Sequence, residues 1–181
     1  MSDVVRKRSV QREHELAKAV RIFVRDALNV PIADYQFFAF DSAQKATDNQ
    51  RARMIARGIV VGTPDTLLCI KQHQPFWCEL KWGNNTTSDD QKRLLDKLLV
   101  MGHHVGVTRS VVGYCMLLHL ARIPLRSSAR LIATDLDLKV QARIAKAEQR
   151  SASPVSSHKT APRFTAGKRV TKRWIRAGLR V

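Results

Sequence analysis

The sequence predicts an α/β fold: a small mixed β-sheet flanked by helices, followed by a basic C-terminal extension. Three observations lead there. Apolar residues recur at helical spacing in some segments and at every second position in others. The two patterns interleave along residues 10–125, and Pro or Gly marks the changes between them. The resulting order is α, β, α, β, β, α, β, α, which describes a sheet with helices packed on it. At 181 residues the chain suits one compact domain with an appendage, and 44% hydrophobic residues suffice for a core.

Arg12 to Leu28 reads as the first helix, with Leu16, Val20, Phe23, Val24 and Ala27 on one face and Pro31 beyond its end. Tyr35 to Phe40 is a short aromatic strand. Asp48 to Arg57 is helical and closed by Gly58, placed where a helix end takes up the left-handed conformation. Thr66 to Ile70 is an apolar strand, and Lys71 to Pro75 a polar turn. In the strand Phe76 to Lys81, alternation turns Phe76, Cys78 and Leu80 to one face and Trp77, Glu79 and Lys81 to the other. A loop over Gly83 to Thr87 leads to Ser88, which starts a helix running through Met101, with Leu94, Leu95, Leu98 and Leu99 inward and Gly102 as its stop. Val105 to Arg109 is a strand, and Ser110 opens an apolar helix to Arg122. Residues 126–150 form a helical extension. Ser151 to Gly167, rich in Ser, Pro, Ala and Thr, reads as a linker. The remaining basic segment, Lys168 to Arg180, is either a short helix that orders on a phosphate backbone or a solvated tail.

Charge narrows the partners. The chain holds 32 Lys and Arg against 15 Asp and Glu, a formal net charge of +17. Residues 1–125 hold 18 basic and 12 acidic side chains, and residues 126–181 hold 14 and 3, so most of the excess lies in the last third. Such a chain is drawn to polyanions, with nucleic acid foremost. The longest apolar stretch, Val111 to Leu120, is too short for a membrane span, and the polar start carries no secretory signal. Cys69, Cys78 and Cys115 form no CxxC pair and read as small hydrophobes of a reducing cytoplasmic setting, not as a zinc site.

The segments that could carry chemistry are Gly62-Thr63-Pro64-Asp65 before one strand and Glu79-Leu80-Lys81 in the next. If those strands pair, Asp65 approaches Glu79. Two converging carboxylates repel one another unless a cation lies between them. Oxygen ligands of this kind, with the backbone carbonyl of Leu80 as a third, suit Mg²⁺ or Mn²⁺. Lys81 then stands where it can orient a water against a phosphodiester. Each piece alone is ordinary: Glu-x-Lys is common on solvated sheet faces, and Pro-Asp is turn chemistry. The ordered combination is far more specific.

That combination resembles the PD-(D/E)xK nucleases, and its surroundings resemble the VRR-NUC branch. The resemblance runs over residues 11–122: the lead-in Ala56-Arg57-Gly58-Ile59-Val60-Val61-Gly62, then Thr63-Pro64-Asp65, Glu79-Leu80-Lys81-Trp82-Gly83, Ser88-Asp89-Asp90-Gln91, and a Leu-rich helix ending at Met101-Gly102. It implies a restriction-endonuclease-like core over residues 10–125, Mg²⁺ or Mn²⁺ dependence, and DNA as substrate, cut selectively at junctions or flaps. Asp65 and Glu79 would bind the metal and Lys81 would serve the water. Gln91 matches the family's glutamine, although Ser88-x-x-Gln91 is also a capping box. Glu13 fits the acidic position of the family's first helix, since it precedes Leu16 and Val20 by helical spacings, whereas Glu15 falls on the solvated flank. Where the family carries a polar asparagine at a strand end, this chain has Phe37-Phe38-Ala39-Phe40-Asp41-Ser42.

The expectation is a metal-dependent DNA endonuclease, working as a homodimer if both strands are cut. Arg109 at a strand end, and Lys168, Arg169, Lys172, Arg173 and Arg176 in the tail, are the candidate phosphate contacts. The competing expectation is a non-catalytic basic nucleic-acid-binding protein. An RNA-binding role is disfavoured by the 6% aromatic content.

Overall fold

The computed structural model describes residues 3–40, 48–56, 60 and 62–152. Its centre is a pair of short apolar strands, β2 (Thr66–Ile70) and β3 (Phe76–Leu80), folded back on one another with Thr66 opposite Cys78 and Leu68 opposite Phe76. β1 (Tyr35–Ala39) lies antiparallel to β2, and β4 (His104–Thr108) lies parallel to β3, giving one four-stranded sheet in the order β1-β2-β3-β4. A parallel neighbour requires a crossover, and α3 (Asp89–Val100) supplies it. Among the described residues the other helices are α1 (Asp3–Ala27), α2 (Asp48–Ala56), α4 (Val111–Leu120) and α5 (Ala129–Ala152), with a 3₁₀ turn at Ile32–Asp34. The mixed α/β architecture is therefore as expected.

Alternation on β2 and β3 sends Leu68, Ile70, Phe76, Cys78 and Leu80 into one core with Leu16, Val20, Phe23 and Val24 of α1 and Val111, Tyr114 and Leu118 of α4. The Tyr114 ring stands edge-on to Phe76 and Phe23, with centroids 5.5 and 6.3 Å away. α5 belongs to the same core: Ala129, Ala133, Leu136, Val140 and Ile144 recur at helical spacing and are buried. Its Asp137 accepts hydrogen bonds from the backbone N–H groups of Val111 and Val112 at 2.7 and 3.0 Å, so a carboxylate satisfies the exposed donors that open α4.

Some details differ from expectation. α1 begins nine residues before Arg12, in a stretch with no apolar period to announce it. It ends at Ala27 because Leu28 turns away to bridge Leu125. β4 starts at His104 and stops at Thr108, one residue earlier at each end, its register set by Phe76 opposite His104 and Leu80 opposite Thr108. On α3 the buried stripe is Gln91, Leu95 and Leu98, while Leu99, near the helix end, is 58% exposed rather than inward. Cys78 and Cys115 are buried, Cys69 is half-buried, and all three are free. Among the described residues no helix is long and apolar enough to cross a membrane.

Candidate functional site

Antiparallel pairing brings the start of β2 and the end of β3 to the same end of the sheet. Asp65 sits just ahead of β2, where its carbonyl accepts from the Phe40 N–H at 2.8 Å and continues the β1–β2 ladder. Lys81 sits just past β3, its N–H bonded to the Thr108 carbonyl at 2.9 Å. Period two places Glu79 and Lys81 on one face, and their side chains form an ion pair of 2.6 Å in which both partners are buried. The Asp65 carboxylate reaches across to accept from the Leu80 N–H at 2.8 Å. Asp65, Glu79, Leu80 and Lys81 are thus brought together.

Gln91 joins them from α3. Ser88 caps that helix: its hydroxyl accepts from the Gln91 N–H at 3.3 Å, and the Gln91 carbonyl oxygen accepts from the Ser88 N–H at 2.9 Å. With its oxygen committed to the cap, the Gln91 side chain has only its NH₂ left to present, and this donates to Glu79 Oε1 at 2.5 Å. Gln91 therefore completes the capping box that its spacing implies and also contacts Glu79. Gly62 makes the approach possible. It adopts φ +85°, and a Cβ there would lie 2.7 Å from the Asp90 carbonyl group and 2.8 Å from the Gln91 nitrogen.

Glu13 projects from α1 toward the same end and accepts from the Asn85 side-chain amide at 2.8 Å, so it is paired rather than solitary. The loop carrying Asn85 is fastened on its other side by Arg109, whose guanidinium donates to the Gly83 carbonyl at 2.9 Å and the Asn85 carbonyl at 3.0 Å. Arg109 lies at the strand end, as expected, and is exposed there, but these hydrogen bonds are to loop carbonyls, which makes it a loop fastener first. No local sequence pattern marks Asn85, whose partner lies 72 positions away. Glu15, expected on the solvated flank, is bonded to Lys18 and to Arg143 of α5. The tail residues Lys168, Arg169, Lys172, Arg173 and Arg176 lie outside the described residues.

The electrostatics are those of crowded acids. Burial, then the neighbouring Glu79 charge, pushes the Asp65 carboxyl up to about 7, against the Leu80 N–H and Lys81, which favour its charged form. Glu79 is also raised, chiefly by burial and further by Glu13, although Lys81 opposes the shift. Lys81 and Gln91 both bond Glu79 Oε1. The other oxygen, Oε2, is buried and has no hydrogen-bonding partner among the described residues, while the Asp65 backbone favours the charged form of the carboxylate. A buried carboxylate oxygen without a donor is costly.

The donor set suits a hard divalent cation: two clustered carboxylates, one with an oxygen that has no hydrogen-bonding partner among the described residues, while the adjacent thiol of Cys78 belongs to the core face of β3 and bonds the Glu79 carbonyl. The acidic convergence is a pair, and among the described residues no group of three or more His, Cys, Asp or Glu side chains is placed to hold a metal. Any third ligand would therefore come from the backbone, a substrate or water. No protein-family model, curated protein or solved structure matches the chain.

Proposed function

We propose that this chain is a divalent-metal-dependent DNA nuclease with a VRR-NUC-like site on a restriction-endonuclease-like core. The observation that carries the reading is the state of Glu79: buried, bonded through one oxygen to Lys81 and Gln91, without a hydrogen-bonding partner among the described residues at the other, and clustered with Asp65. A structural Glu–Lys pair on a solvated face would need none of this enclosure.

Asp65 and Glu79 would hold Mg²⁺ or Mn²⁺, with the Leu80 carbonyl as a further oxygen. When bound, the ion supplies charge stabilisation at the phosphodiester and a more acidic water. The chain's own residues do the rest. Lys81 brings a fixed positive charge and N–H donors to the place where a phosphate oxygen gathers charge. Gln91 and Lys81 together hold the Glu79 carboxylate in one orientation, and Glu13 with Asn85 and Arg109 keeps the loop over Gly83 to Asn85 against the site. The net charge of +17 adds salt-sensitive affinity for the backbone. Cutting both strands with one site per chain takes two copies, so a homodimer is the proposed working unit, which sedimentation velocity tests.

The test is a panel of linear, nicked, flapped and four-way DNAs incubated with Mn²⁺, Mg²⁺ or EDTA. The reading expects cleavage with metal only, abolished in Lys81→Ala while salt-sensitive binding persists. Binding with no cleavage of any substrate would replace it with the non-catalytic nucleic-acid-binding reading.

A further inference from the structure

The sheet face that carries Glu79 and Lys81 also carries a row of aromatic rings. Trp77 is two residues before Glu79 and on the same side of β3. Across the sheet, Leu67 stands opposite both Trp77 and Phe38, which puts Phe38, and with it Phe40, on that face too. Phe40 pairs directly with Asp65 through its N–H. The row therefore starts beside the carboxylates and runs outward across β1.

The rings are arranged unlike those of the core. Phe40 lies 5.9 Å from Trp77 with planes 16° apart, and Phe38 lies 6.4 Å from Phe40 with planes 14° apart. The buried pairs made by Tyr114 stand edge-on, at 81° and 89°. Phe38 and Phe40 are 41% and 36% exposed and, with Trp77, make a contiguous aromatic patch, which is the kind of exposed apolar surface that marks a contact site. The other face of the sheet is filled by the core, and α3 reaches the sheet on the β4 side. The three rings share a common plane direction, adjoin an anionic cluster suited to a metal, and belong to a strongly basic chain.

We propose that Phe38, Phe40 and Trp77 form a stacking platform for the bases of a single DNA strand entering the Asp65–Glu79 site. The proposal rests on the nuclease reading for its orientation, and it names the substrate feature that reading leaves open: unpaired nucleotides next to the cut. Aromatic rings accept any base through its π-face while the backbone is held by charge, so such a platform favours unpaired strands without reading sequence. A fully paired duplex keeps its bases stacked on one another and gains nothing from it.

The test uses the full chain in EDTA, where no cutting occurs, and measures fluorescence anisotropy with labelled oligo-dT and with a hairpin duplex of equal phosphate count. The double substitution Phe38→Ala with Phe40→Ala should weaken oligo-dT binding by about tenfold or more and duplex binding by less than about twofold. Phe40→Tyr, which keeps the ring, should restore most of the Phe40 share. If the double variant does not fold by circular dichroism, the single Phe38→Ala, at the more exposed ring, carries the comparison. Oligo-dT bearing 5-iodouracil should crosslink to peptides containing Phe38, Phe40 or Trp77. Equal losses on both DNAs, no loss on either, crosslinks only elsewhere, or a loss confined to oligo-U would overturn the platform. Because the assay is metal-free, it separates the two readings. Lost oligo-dT binding with no cleavage in the substrate panel leaves the platform and removes the nuclease. Intact metal-dependent cleavage with unchanged oligo-dT binding does the reverse.

Discussion

Gln91 donates its side-chain amide to Glu79 Oε1 at 2.5 Å, and it can do so in only one orientation because its own oxygen is held by the Ser88 N–H at 2.9 Å. A helix cap thereby sets the direction in which a buried carboxylate is held. The cap lies on α3 and the acid on β3, so the start of the crossover helix is part of the site's construction.

That link separates two substitutions. Ser88→Ala removes the hydroxyl cap and should cost about 1 kcal/mol of stability while leaving most of the Gln91–Glu79 contact. Gln91→Ala removes the contact as well and should cost about 1–3 kcal/mol. Under conditions where both variants are folded, cleavage should fall much further in Gln91→Ala. Urea denaturation and initial cleavage rates check this, and equal activity losses would reduce Gln91 to a cap.

Asp65 makes the metal-free protein sensitive to pH. Its folded pKa of about 7 stands above the ordinary 3.8, so the folded state holds the proton more tightly than the unfolded chain. The stabilisation is full below 3.8, declines as pH rises through about 7, and is gone above that value. The slope is at most about 1.4 kcal/mol per pH unit inside the window. In EDTA, Asp65→Asn should therefore melt higher than wild type at pH 8 and close to it at pH 4. A variant less stable at pH 8 would contradict the shift.

Gly62→Ala should be destabilising twice over. The position has φ +85°, and the new methyl would meet the backbone of Asp90 and Gln91 at 2.7–2.8 Å. A loss above about 1 kcal/mol is expected, with α3 displaced from Glu79 and cleavage reduced beyond what partial unfolding explains. Thermal melts and activity per folded molecule check it.

Asp137 offers a control remote from the chemistry. It receives the Val111 and Val112 N–H groups, so Asp137→Ala should cost about 1–2 kcal/mol, and Asp137→Asn less. Cleavage below the melting transition should not change in either variant.

What could be read in the sequence was whatever local pattern encodes. The strand Thr66–Ile70 has the bounds that its apolar run and flanking turns imply. Glu79 and Lys81 share a face because strand period alone requires it, and Gln91 is buried at the spacing its helix suggests. The remainder depends on contacts between distant segments. Asn85 meets Glu13, Arg109 holds Gly83 and Asn85, and Asp137 caps a helix 25 residues before it. Nothing within a short window marks those partners. The segment Tyr35 to Phe40 likewise reads only as a short aromatic strand, and the exposure of Phe38 and Phe40 emerges once the sheet shows which face is covered.

The central claim is that Asp65 and Glu79 together hold a divalent ion. Calorimetric titration of Mn²⁺ into the metal-free protein at pH 7, in two buffers of different ionisation heat, tests it most directly. Wild type should give a saturable heat that differs between the buffers, because binding displaces the proton that Asp65 partly retains there, and the heat should vanish in Asp65→Asn and Glu79→Gln. A wild-type trace with no binding heat, or variants that bind Mn²⁺ as wild type does, would contradict it.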